Sequence, residues 1–136
     1  MSVLSDLESS EDPAVRQGLA TRRAVLGEAY VSRALDREPE PGDDQQHLLT
    51  GQVWGTLWNR ESLDRRSRSL VTIALLVAGG HGDELEAHVL GGLRNGLTPE
   101  EITEVAIHCG AYCGAPVGLA GMRRVKAALA RAEATT

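Results

Sequence analysis

Apolar residues recur along this chain at intervals of three and four, and no stretch sustains a period-two alternation, so every segment reads as helix. A first helix is expected over residues 13–36, with Pro13 suited to an opening turn and Leu19, Leu26, Tyr30 and Leu35 on one stripe. Glu38-Pro-Glu-Pro-Gly42 breaks it. Asp43 or Asp44 can cap a second helix through Leu57, with Leu48, Leu49, Val53, Trp54 and Leu57 on a broad face. After a turn over residues 59–63, Asp64 opens a third helix carrying Leu70, Ile73, Ala74 and Val77, which Gly79-Gly80 ends. Asp83 begins a fourth, closed by Asn95-Gly96. Thr98-Pro-Glu-Glu101 is the sharpest boundary signal, a capping box with Pro at the first helical position, and starts a fifth helix to Cys113. Gly114-Ala-Pro116 interrupts, and residues 117–132 form the last. The expected fold is all-α with about six helices: a polar, flexible segment over residues 1–12, then a single domain over 13–132.

Composition sharpens this picture. Of 136 residues 42% are apolar and only 3% aromatic, with no Phe, so the core must be aliphatic. Helices apolar around much of their circumference leave faces uncovered in so small a chain, which predicts a homo-oligomer. A net charge of −5 argues against a nucleic-acid or anionic-membrane surface. The basic clusters at Arg65-Arg-Ser-Arg68 and Arg123-Arg-Val-Lys126 read as solvated helix faces. No apolar run approaches membrane-spanning length, and the N-terminus lacks a secretory pattern, so a cytoplasmic location is expected. Cys109 and Cys113, one helical turn apart, suit reduced thiols better than a disulfide.

Three polar groups on the fourth helix stand out. His81, Glu84 and His88 are spaced by three and four and share one face. Spacing alone leaves alternatives open: a solvated cluster at a helix start with His88 in the core, a shared metal ion, or a functional site of unspecified chemistry. The metal reading is the weaker, because no ligand set follows on the next helix, where His108 and Cys109 stand unsupported. Around those residues, Gly110, Ala111, Gly114 and Ala115 permit close helix or ligand approach. Cys109 and Cys113 are one residue further apart than a Cys-x-x-Cys redox pair. Trp54 and Trp58 read first as core or interface anchors, with Trp54 kept as a substrate-contact candidate.

Taken in order, Arg23-Ala-Val-Leu-Gly27, Val53-Trp-Gly-Thr-Leu-Trp-Asn-Arg60, Leu63-Asp-Arg-Arg-Ser-Arg-Ser-Leu70, Glu84-Leu-Glu-Ala-His88, Asn95-Gly-Leu-Thr-Pro-Glu-Glu-Ile-Thr-Glu104 and Tyr112-Cys-Gly-Ala-Pro116 resemble the carboxymuconolactone decarboxylase family over about residues 20–130. The resemblance implies an alkylhydroperoxidase-like helical fold, assembled as trimers or hexamers. Peroxidase relatives in that superfamily carry Cys-x-x-Cys-x-x-x-His on the corresponding helix. Setting that His on His88 puts His81 and Glu84 at the cysteine positions, and Ser69 where a helix-three Glu would stand, which disfavours thiol peroxidase activity. The pattern departs from the family at Tyr30, near which a His is usual, and at His47-Leu-Leu-Thr-Gly-Gln52; both positions are expected to shape the pocket.

The implied substrate is a small carboxylated lactone with its carboxylate on the γ carbon. Loss of carbon dioxide drives electrons through the ring double bond onto the lactone carbonyl, and the resulting dienolate is protonated at the α carbon. The substrate is its own electron sink, so the resemblance implies neither cofactor nor metal. It assigns proton transfer to His88, with Glu84 orienting it, and offers Arg68, His81, Tyr112 and Trp54 as substrate contacts. Two other readings stay open: recruitment to another lactone or keto acid, and a helical oligomer that binds a small acid without catalysis.

Overall fold

The computed structural model describes residues 1–135, which fold as eight α-helices and one π-helical segment, with no strand among the described residues. The all-α expectation holds, with more and shorter helices than the apolar pattern predicts. The chain forms two compact units, one over Met1–Leu63 and one beginning at Asp64.

In the N-terminal unit, α1 spans Val3–Glu8 where the sequence suggests a flexible end. Ser2 and Ser5 close a capping box on it, and Leu7 is fully buried. The single helix expected over 13–36 is two helices, α2 (Pro13–Leu26) and α3 (Glu28–Leu35). Gly27 separates them with φ +91°, a conformation open to glycine and not to a helical residue, so the apolar stripe continues across a broken backbone. The helix α4 (Asp44–Leu49) runs without interruption into a π-helical segment, Thr50–Leu57. Trp58 N–H donates to the Val53 carbonyl and Thr56 Oγ1 to the Gly51 carbonyl, both five residues back. Here the segment meets α2 backbone to backbone. A Cβ on Gly18 would fall on the Thr50 carbonyl oxygen, and one on Gly55 on the Ala14 carbonyl oxygen.

Between α3 and α4, the Arg37 guanidinium grips both Asp43 carboxylate oxygens at 2.8 and 2.7 Å, and the Glu40 N–H donates to the same carboxylate at 2.7 Å. The Arg37 bonds, with the backbone bond behind them, hold the Asp43 carboxyl below the usual 3.8, at about 2. A carboxyl depressed in the folded state contributes stability that is complete above its unfolded pKa and lost as pH falls through the folded one. Asp43→Asn is therefore expected to flatten the decline in melting temperature between about pH 4 and pH 2. Melts of the two proteins across that window check it.

The C-terminal unit holds α5 (Arg65–Gly79), α6 (Gly82–Arg94), α7 (Pro99–Cys113) and α8 (Ala115–Ala134). The expected signals act locally: Asp64 accepts from Ser67 N–H at 2.7 Å, and Thr98 and Glu101 close the predicted capping box. Gly80 ends α5 in the left-handed conformation. Ile73, Val77, Leu85, Val89, Ile102 and Val125 form an aliphatic core among the four helices. Asn95 Nδ2 donates to buried Ser69 Oγ at 2.9 Å, and Gly92 lies against Ile73. These two contacts set α5 and α6 antiparallel and fix their register.

Candidate active site

The helix α6 carries three of the predicted groups. His81 is its N-cap residue, Glu84 lies in its first turn, and His88 stands one turn further. His88 is one of the few buried polar side chains of the protein, 9% exposed, whereas Glu84 and His81 are exposed. The helix thus presents an exposed carboxylate and a buried imidazole four residues apart on one face. A group that moves protons to carbon gains from such burial, because bulk water cannot compete for the carbanion.

His81 lines an apolar groove of about 390 Å³ inside the C-terminal unit, together with Leu76, Val77, Leu85, Pro116 and Val117. Its ring packs over Gly79, whose Cβ, if present, would sit 2.7 Å from Cδ2. Arg124 lines the same groove. Its guanidinium lies against the α6 backbone at Gly82 and donates to Asp83 Oδ1 at 3.0 Å and Glu86 Oε2 at 2.6 Å. The sequence reading places Arg124 in a solvated basic run. Its acidic partners stand about forty residues earlier, at positions 83 and 86, which no local pattern connects to it.

Three further residues are expected as substrate contacts: Arg68, Tyr112 and Trp54. Arg68 is in the first turn of α5. With Ile73 opposite Gly92 in antiparallel register, His88 is level with Val77, roughly 13 Å along the axis from Arg68 at 1.5 Å per residue. Tyr112 is near the end of α7, 82% exposed, with its ring stacked on His108 at 4.9 Å. Trp54 belongs to the N-terminal unit, buried and stacked on Trp58 at 5.1 Å. Both cysteines are free thiols. Burial, and secondarily the neighbouring Cys113, pushes the Cys109 thiol up, and its Sγ contacts the Ala74 carbonyl at 3.6 Å. A peroxidase thiol requires the opposite shift.

Comparison with known proteins places this helical architecture. The model of the carboxymuconolactone decarboxylase family matches residues 44–133. A 4-carboxymuconolactone decarboxylase from Acinetobacter baylyi is 40% identical over 113 residues, 83% of this chain and 84% of the relative. A nitrosuccinic acid decarboxylase from Metarhizium robertsii is 40% identical over 100 residues, 74% of this chain and 70% of the relative. The class of protein so defined is an all-helical carboxy-lyase. Within that class the chain belongs to the carboxymuconolactone decarboxylase family. No helix among the described residues is long and apolar enough to cross a membrane.

Proposed function

We propose that the protein decarboxylates a γ-carboxy unsaturated lactone of the 4-carboxymuconolactone type, giving an enol-lactone, with His88 as the proton donor to carbon. The observation that carries this reading is the buried His88 one turn beyond Glu84, on a helix inside the segment that the family model matches. When the C–C bond breaks, its electron pair enters the ring and rests as a dienolate on the lactone oxygen. Proton delivery to the α carbon completes the reaction. The protein's own work is to exclude water, support charge on the enolate oxygen and hold one proton in place. Glu84 orients the imidazole, and His81, which lines the apolar groove, is the nearest of the proposed substrate contacts to it in sequence. Arg68, Tyr112 and Trp54 are carried as further substrate contacts. The functional protein is read as a homo-oligomer of three or six chains, supported by exposed Val71, Leu75, Ile107 and Leu119.

A second reading is favoured by one specific observation: the identity to the nitrosuccinic acid decarboxylase equals that to the lactone enzyme. Nitrosuccinic acid carries a nitro group that can accept the electron pair, as the lactone carbonyl does. Both substrates therefore supply their own electron sink, and this chain could be tuned to either acid or to a related one. The test is carbon dioxide release from 4-carboxymuconolactone, nitrosuccinate and a β-keto acid, followed side by side. Release from the lactone fastest by a wide margin is expected. Release only from another acid moves the substrate and keeps the chemistry, whereas release from none removes the proposal.

A further inference from the structure

The apolar groove of the C-terminal unit has two ionisable lining residues, His81 and Arg124, and among the described residues no carboxylate lines it. In a chain with 19 acidic against 14 basic side chains, a wall that excludes every acid selects for an anion. The rest of the wall is apolar or small, with Ala120 and Gly121 of α8 completing the surface formed by Leu76, Val77 and Leu85. At about 390 Å³ the space is that of a small-molecule site.

Arg124 meets this groove with one edge of its guanidinium uncommitted. Both of its hydrogen bonds leave from Nη1, at 3.0 Å to Asp83 and 2.6 Å to Glu86, and among the described residues Nε and Nη2 make none. The side chain is 46% exposed, so solutes reach it. The uncommitted edge lies over Gly82, itself a groove residue: a Cβ there would stand 2.7 Å from Nε and 3.0 Å from Nη2. That edge offers two parallel N–H groups, the arrangement that grips both oxygens of a carboxylate. Charge balance permits an anion, because Glu86 also pairs with Arg131 at 3.1 Å, and the cluster of two arginines and two carboxylates is neutral. We propose that this groove binds a small carboxylic acid with an apolar body, the body against Leu76, Val77 and Leu85 and the carboxylate on the Nε and Nη2 edge of Arg124, with His81 as the second polar contact. Asp83 and Glu86 hold Nη1 and so orient the fork, a task that needs arginine and not lysine. His81 is shared with the lactone reading, but the site rests on the groove alone, and binding is measured without turnover, so each can fail without the other.

Benzoate is the probe, with benzamide as its neutral isostere and acetate as the same charge without the ring. Calorimetric titration into the intact protein is expected to give saturable benzoate binding, with benzamide and acetate each weaker by about 5-fold or more. Arg124→Gln should lower benzoate affinity by about 5- to 30-fold, the worth of a charged hydrogen-bonded contact discounted for its exposure, and leave benzamide affinity where it was. Arg124→Lys should fall between. Ala120→Leu, at an exposed position of α8, should weaken both ring compounds by filling the groove. Arg123→Gln removes the same charge next door, outside the groove, and should change neither. No benzoate binding by the unmodified chain at millimolar concentration overturns the proposal, as does unchanged benzoate affinity in Arg124→Gln. Equal loss of benzoate and benzamide in Arg124→Gln would mark a purely structural arginine and likewise overturn it. If Ala120→Leu changes the oligomer size in sedimentation while benzoate affinity stands, a second copy of the chain covers the groove, and the small acid is ruled out.

Discussion

His88→Ala is expected to lower kcat by about two to four orders of magnitude while far-UV circular dichroism and the melting transition stay those of a folded protein. The effect is large because the proposal gives one side chain the step that chemistry on the lactone cannot complete alone: putting a proton on carbon where water is excluded. His88 is the buried member of the predicted triplet. His88→Gln keeps most of the volume and removes the titrating function, so it should fail as badly as Ala if proton transfer is the role. If Gln retains activity and Ala does not, packing is the role instead. Glu84→Gln should cost less than either, since an exposed carboxylate four residues away orients the imidazole and does not replace it.

The second large effect is on stability. Gly18→Ala is expected to destabilise the N-terminal unit by about 1–3 kcal/mol or more, the range for forcing atoms into a filled space. The added methyl would land on the Thr50 carbonyl oxygen and come within 2.8 Å of the Gly55 nitrogen, both of them backbone atoms without a rotamer to adopt. Either α2 moves away from the π-helical segment or the segment rewinds. Urea unfolding followed by tryptophan fluorescence reads this directly, because Trp54 and Trp58 lie in the same unit. An unchanged midpoint would mean that the two backbones do not meet there.

What the amino-acid pattern revealed, and what it did not, follows from the range of each interaction. The start of α5 at Asp64 and both ends of α7 were readable, since an N-cap, a capping box and a helix-breaking glycine act within four residues. The break at Gly27 was missed because Leu19, Leu26, Tyr30 and Leu35 keep helical spacing across it, and periodicity does not register one glycine with positive φ. The π-helical segment was hidden for a related reason. Apolar residues at Val53, Trp54 and Leu57 suit a 3.6-residue repeat, and the wider turn rests on contact with Gly18, more than thirty residues earlier. The N-terminal Leu4 and Leu7 were too few to outweigh the polar residues around them.

The site divides the same way. His81, Glu84 and His88 share a helix face, so spacing and resemblance could bring them together, but burial, which separates His88 from the other two, depends on packing. Arg124 escaped notice as a member of an ordinary basic run. Only three-dimensional contacts single it out, because two carboxylates from α6 engage it. No sequence window holds that distinction.

The most direct test of the central proposal is to incubate the protein with 4-carboxymuconolactone in D₂O and follow the product by NMR. The account predicts loss of carbon dioxide, formation of the enol-lactone and a single deuterium at the α carbon on one face only, with His88→Ala forming it about two to four orders of magnitude more slowly. Intact lactone after prolonged incubation, or equal deuteration of both faces, would contradict it.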